Sequence, residues 1–233
     1  MKTQLKQVKL LAAAYTRITR MPTHECNLCG RTSKFHPYGD PPRVGALCPR
    51  CGSLERHRLL GLWLARNPVS GMEVLHFSPE PVVAKMLKKS ARSYISADLD
   101  PNRLEIDRVL NIEAIDLSDN SFNAVVCSHV LEHVNDEKAL SEIYRVLVPG
   151  GKAILMVPII EGWDTTFEDP TINTPQDRRK FYGQSDHVRW FGRDFRDRVR
   201  AAGFQLEEFT AEEPEVSRYK LTRGMKVFVG TKP

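Results

Sequence analysis

The chain has 233 residues, 34 Lys/Arg against 29 Asp/Glu and a formal net charge of +5. That length holds one α/β domain with a small appendage. No apolar run approaches the ~20 residues of a membrane span, and Leu10–Ala14 is too short for the core of a secretory leader, so a soluble, cytoplasmic protein is expected. Charge is uneven: residues 1–67 carry twelve Lys/Arg and three Asp/Glu, which leaves the remainder at −4. A positive N-terminal region suits phosphate, in RNA or in a phosphorylated glycan or nucleotide-sugar; it equally suits a solvated helix face with arginines packed on the acidic remainder.

Residues 1–23 read as an amphipathic helix, with Leu5, Val8, Leu11, Ala12, Tyr15 and Ile18 on one face. An organelle presequence has the same character, but an ordinary docking helix is preferred. Two Cys-x-x-Cys pairs come next, Cys26/Cys29 and Cys48/Cys51, eighteen residues apart. Each pair puts two sulfurs on one tight turn, and two such turns facing each other give a tetrahedral four-sulfur cage for Zn²⁺. Such a closed site keeps no position for water, so the metal is expected to be structural. The turn-rich stretch between the pairs has little core of its own and depends on the ion to fold. Disulfides and a redox pair are the rival readings, disfavoured without a secretory signal. His24, His36 and His57 lie nearby and are expected outside the ligand set. Ser53–Arg66 then reads as a helix capped by Ser53, with Glu55 in its first turn, docking the cysteine module onto the rest of the chain.

Glu73–Phe77 is the first strand of the larger domain, and Tyr94–Asp98 the second. An acid at a strand tip about twenty residues past the first loop can accept both hydroxyls of a ribose, which singles out Asp98. That geometry serves NAD as well, but the Gly-x-Gly-x-x-Gly of a dehydrogenase is absent. A short third strand, Arg108–Leu110, precedes Asn111-Ile112. Ala124–Cys127 is a buried strand in which Cys127 acts as a small hydrophobe. After a His-rich stretch, Leu140, Ile143, Val146 and Leu147 mark a helix that Pro149-Gly150-Gly151 stops, and Lys152–Val157 is the next strand. Residues 159–192 form a long connection rich in aromatic and charged residues, of the kind that closes over a substrate. Phe204–Phe209 and Met225–Thr231 close the sheet as an antiparallel pair.

Phe122–Pro158, with its His-Val-Leu-Glu-His run and Pro-Gly-Gly turn, resembles the fourth-to-fifth-strand segment of class I S-adenosylmethionine-dependent methyltransferases. The Cys-Gly-Ser-Leu-Glu-Arg-His-Arg run at 51–58 resembles a bacterial subgroup with methyltransferase type 11 domains. The resemblance covers roughly residues 24–231. It implies a doubly wound, mostly parallel seven-stranded Rossmann-like α/β sheet (54–233) with a zinc-ribbon-like module (24–53). It also implies S-adenosylmethionine bound by His76, Phe77, Ser78, Glu80, Asp98, Leu99, Asn111, Ile112, Ser128 and His129. Three departures stand out. The first loop reads His-Phe-Ser-Pro-Glu-Pro in place of the family's glycines, and Asn111 and Asn123 stand where Asp is common. Methyl transfer needs alignment above all, and a base only when an O or N nucleophile must lose a proton. His129 and His187 are the base candidates, ahead of His133; an Asp186/His187/Arg189 network pinning the loop is the alternative for His187. The expected activity is methylation of a small polar or glycan-type acceptor. RNA methylation through the basic module is the second reading, and a non-catalytic binding protein with the same fold is the third.

Overall fold

The computed structural model describes residues 23–233, so the helix expected over 1–23 falls almost wholly outside them. Two compact units are present. The first unites the residues up to Arg58 with Ala211–Arg223; the second comprises Leu59–Thr210 and Gly224–Pro233. The sequence pattern divides the chain after residue 53 and gives no sign that 211–223 joins the cysteine module. Several side chains join the two: His24 Nδ1 lies 3.1 Å from the Ser217 carbonyl, Arg218 pairs with Glu25 at 2.7 Å, and Arg58 spans both segments. The Arg58 guanidinium is fully buried and donates to the carbonyls of Ala46, Ser53, Tyr219 and Lys220 at 2.8–3.1 Å.

The first unit has two small antiparallel hairpins, β1 (His24–Glu25) with β2 (Thr32–Ser33) and β3 (His36–Tyr38) with β4 (Arg43–Leu47). Each Cys-x-x-Cys turn closes in the same way. Gly30 donates to the Cys26 carbonyl and Gly52 to that of Cys48, at 2.8 and 3.0 Å. Both glycines sit at positive φ, +67° and +72°. A Cβ at either would meet no neighbour, so backbone conformation alone demands glycine there. Cys26, Phe35 and Cys48 form the buried centre.

Helix α1 (Glu55–Arg66) begins in the first unit. It starts two residues after the expected cap. The Ser53 hydroxyl lies instead 3.3 Å from both Cys26 and Cys51 Sγ.

In the second unit the chain runs β5 (Glu73–Phe77), α2 (Pro81–Ser90), β6 (Ser93–Asp98), β7 (Arg108–Val109) and β8 (Phe122–Ser128). It continues with a 3₁₀ turn (Leu131–His133), α3 (Asp136–Val146), β9 (Leu147–Met156), α4 (Pro175–Tyr182), α5 (Phe195–Ala201), β10 (Gln205–Thr210) and β11 (Lys226–Thr231). These strands form one sheet in the order β10-β11-β9-β8-β5-β6-β7. The run from β9 to β7 is parallel, and β11 lies antiparallel to both β9 and β10. This is the expected doubly wound sheet.

The apolar stripe of α3 is wholly buried at Leu140, Ile143 and Val146, each side chain worth about 1.5–3 kcal/mol of burial. Asn135 caps that helix by accepting from the Lys138 amide at 3.0 Å. The Pro-Gly-Gly segment does not separate helix from strand. Strand pairing resumes at once, with Leu147 opposite Phe122 and Lys152 opposite Ala124. The surplus residues bulge out around Gly150 at φ +79°. Among the described residues no helix is long and apolar enough to cross a membrane.

Candidate active site

Strand β5 is the switch point of the sheet: the chain proceeds from it to β6 on one side and returns through β8 on the other. Ligands in such sheets bind outside the carboxyl ends of the strands at this point. An open cleft of about 360 Å³ lies there. Of the ten residues expected at a cofactor, Phe77, Ser78, Asp98, Leu99, Asn111, Ile112 and His129 line it, joined by Arg103, Leu110, Val130, His133, Val134 and Asp186.

The two strand tips facing each other across the switch share a feature. Ser78, just past β5, has φ +50°, and His129, just past β8, has φ +55°. Each ends its strand by donating its amide to the next one, Ser78 to Ala97 and His129 to Met156, both at 2.8 Å. Left-handed conformations cost a non-glycine residue about 1–2 kcal/mol and collect at functional sites. The first loop therefore keeps a glycine-type backbone turn although its glycines are gone.

Asp98 at the tip of β6 accepts the Asp100 amide on Oδ1 at 2.9 Å and pairs with the Arg103 guanidinium on Oδ2. Arg103 also reaches Ser78 Oγ at 2.6 Å and the Pro79 carbonyl at 2.8 Å. It ties the two loops together, and no motif marks it, since an arginine in a turn between strands is unremarkable in sequence. Asn111 Oδ1 accepts the Glu113 amide at 2.9 Å. Asn123 lies at the opposite end of the sheet, where its Oδ1 accepts the Glu73 amide at 2.9 Å.

His76, Glu80 and Ser128, also expected at the cofactor, do not line the cleft. His76 and Phe77 are successive strand residues and so point to opposite faces. The His76 ring is fully buried, with Nδ1 at 2.9 Å from the Tyr94 hydroxyl and Nε2 at 3.4 Å from Glu80 Oε2. Ser128 Oγ donates to Glu80 Oε1 at 2.9 Å. The result is a continuous polar chain, Tyr94–His76–Glu80–Ser128, beneath the first loop.

His129 Nδ1 lies 3.1 Å from Oε1 of Glu132, a carboxylate with 0% exposure. His187 is buried and does not reach the cleft wall. Its ring meets that of His133 edge-on, 4.7 Å between centroids, and burial pushes its pKa below the ordinary histidine value, against the raising effect of Glu132. Arg189 pins the long connection in place. It donates to Glu168 Oε2 at 2.8 Å, to the Leu131 carbonyl at 2.9 Å and to Val134, and pairs with Asp136 at 3.1 Å. The connection also contains α4, with Thr174 accepting the Asp177 amide at its start and Gly183 at φ +79° at its end.

In the first unit all four cysteines are free of disulfides, and their Sγ atoms lie within 4.8 Å of one another. Cys26–Cys51 and Cys29–Cys48 are 3.6 and 3.9 Å apart. A tetrahedral ZnS₄ centre with ~2.3 Å bonds has edges of roughly 3.8 Å, so this donor set fits the ion. Burial pushes the Cys26 thiol up, but the Ser53 hydroxyl and the Cys29 and Leu28 backbone outweigh it and bring the group to about 7. Burial and then the neighbouring Cys26 push Cys29 up to about 12.

A family model described as a methyltransferase domain matches residues 69–155. Among curated proteins, a ubiquinone/menaquinone biosynthesis C-methyltransferase UbiE of Klebsiella pneumoniae is 46% identical over 55 residues, 22% of each chain. An uncharacterised protein of Methanocaldococcus jannaschii is 51% identical over 47 residues, 20% of this chain and 21% of its own. The chain thus spans about a fifth of the length of these relatives. Among solved structures, the Haloferax volcanii protein in complex with the Trm112 methyltransferase activator has a TM-score of 0.55 at 19% identity, covering 76% of this chain and 91% of its own. The [4+2]-cyclase SpnF reaches 0.58 at 15% identity, over 86% and 88%. With the strand order and the switch-point cleft in agreement, the larger unit has the class I methyltransferase fold, and its residues 69–155 match the methyltransferase-domain family.

Proposed function

We propose that the protein transfers the methyl group of S-adenosylmethionine to an oxygen or nitrogen of a small polar or glycan-type acceptor. The observation that supports this most is the pairing of Ser78 and His129, both left-handed, across a switch-point cleft that also holds Asp98 and Asn111. Asp98 accepts the ribose hydroxyls, Leu99 and Ile112 flank the adenine, and the Asn111 amide oxygen accepts from its amino group. Ser78 and Arg103 face the methionine part, where the guanidinium suits a carboxylate. His76, Glu80 and Ser128 support the loop from beneath.

In the transfer step the nucleophile's lone pair forms the new bond to the methyl carbon. The sulfur keeps the broken bond's electron pair and becomes a neutral thioether. The acceptor's proton leaves to His129, which Glu132 orients and whose charge it balances. Zinc on Cys26, Cys29, Cys48 and Cys51 has only a structural part. Cysteines held as thiolates suit a reducing, cytoplasmic setting.

RNA methylation is the second reading, favoured by the surplus of Lys/Arg in residues 1–67. SpnF, named a cyclase, is a reminder that this fold also hosts other chemistry. The test is transfer of labelled methyl from S-adenosylmethionine to polar small molecules, glycans and RNA in separate arms, with Asp98→Ala as control. Label in a small acceptor, lost in the control, is the expected result. Label in RNA alone moves the assignment to the second reading. Cofactor binding without transfer to any arm leaves a binding protein.

A further inference from the structure

A buried carboxylate with one partner is costly, because burying charge without compensation loses several kcal/mol of hydration. Glu132 is such a group. Its Oε1 meets His129, but its Oε2 is buried and without a hydrogen-bond partner among the described residues. Nδ1 of His187, a side chain only 3% exposed, is buried and unpartnered in the same way. The two residues that carry these orphaned atoms belong to one cluster: Glu132, His133 and His187 each offer a ligand atom, all within 4.8 Å of one another. Two facts independent of charge hold the cluster together. The Val188 amide donates to the Glu132 carbonyl at 2.9 Å, and Arg189 clasps the carbonyls of Leu131 and Val134 on either side of Glu132 and His133. The backbone thereby fixes His187 against a dipeptide 54 positions earlier in the chain.

We infer that Glu132, His133 and His187 form a second metal site, for a divalent transition-metal cation of the zinc class, with open coordination positions beside the cleft. Two imidazoles and one carboxylate are the donor set of catalytic rather than structural zinc. Ligation at about 2.0–2.2 Å needs ligand atoms roughly 3–3.5 Å apart, so small ring rotations close the set. The ion satisfies Glu132 Oε2 and His187 Nδ1 together, which no donor among the described residues does. His133 lines the cleft, so positions the protein leaves vacant face the place where an acceptor enters. Glu132 is shared: Oε2 holds the ion while Oε1 orients His129. An acceptor hydroxyl on the ion loses its proton more readily, and His129 is beside it to take that proton. This catalytic use rests on the proposed methyl transfer; the existence of the site does not.

The test is made on the full chain with its cysteine site already loaded with zinc, in the absence of S-adenosylmethionine. Co²⁺ is titrated in and read by its ligand-field absorption. A nitrogen–oxygen site gives such bands without the thiolate-to-cobalt charge-transfer band that the cysteines produce. Saturation at about one equivalent is expected, weakened at least about tenfold in Glu132→Gln, His133→Asn and His187→Asn. Circular dichroism checks that each variant is folded. The wild-type titration stands by itself: no saturable site there overturns the inference and leaves a water bridging Glu132 and His187. Binding unchanged in all three variants overturns it equally, by placing the ion elsewhere.

Discussion

Replacing Arg58 by Met is the sharpest test of how the cysteine module is built. The side chain is fully buried, stacks its guanidinium 4.6 Å from the Phe35 ring centre, and supplies donors to four carbonyls. Each buried acceptor left without a donor costs about 1–3 kcal/mol. Relaxation and water entry recover part of that, so a net loss of roughly 3–5 kcal/mol is expected. Arg58→Lys keeps the charge but cannot reach carbonyls in four directions, and should lose nearly as much. The assay is hydrogen exchange at the Gly30 and Gly52 amides, both bonded within their knuckles, in zinc-loaded protein. About 3 kcal/mol corresponds to at least a hundredfold faster exchange. Exchange within tenfold of wild type in the Met variant would refute the view that this arginine joins 211–223 to the knuckles. Wild-type exchange in the Lys variant alone would make charge, not hydrogen bonding, the cause.

Gly30→Ala and Gly52→Ala should each cost about 1–2 kcal/mol through positive φ alone, seen as faster zinc loss to a chelator; full zinc retention in both would contradict the turn geometry. Ile143→Ala, fully buried on α3, should cost about 2–5 kcal/mol in denaturant unfolding with the slope unchanged. Glu168 is held below the usual carboxylate range: burial opposes this, but the Arg198 and Arg189 guanidiniums outweigh it. A depressed carboxylate stabilises the fold above its unfolded value, and that contribution disappears as pH falls through the folded value. Glu168→Gln should therefore be less stable than wild type at neutral pH, with the difference shrinking below about pH 4. A difference independent of pH would show that the ion pairs do not hold the connection.

The sheet was legible because its strands are short apolar runs with clear stops. Glu73–Phe77 and the tip at Asp98 fall where the pattern put them, and the stripe on α3 is buried as its spacing implied. What was not legible depends on side chains meeting across long separations. Neither Arg58 nor Arg103 carries a spacing signal for its role, yet one donates to four carbonyls within the module and the other bridges two site loops. Ser78 and His129 give no composition signal for positive φ. His76 and Ser128 lie in β5 and β8, where strand alternation turns them off the cleft, and Glu80, at the start of α2, pairs with both. Two further signals are present in the sequence. Thr174-Pro175 with Asp177 and Gly183 is a full cap-to-cap helix pattern, and the glycine after each Cys-x-x-Cys marks both knuckles alike.

The central claim is that the switch-point cleft holds S-adenosylmethionine through Asp98. Calorimetric titration of the zinc-loaded chain with S-adenosylhomocysteine, beside Asp98→Ala and Asp98→Asn, tests it most directly. Binding at about micromolar level is predicted for wild type. Loss of charge-assisted hydrogen bonds of about 1.5–3 kcal/mol each should weaken the variants at least tenfold. A folded wild type that releases no heat, or an Asp98→Ala protein that binds as tightly, would contradict it.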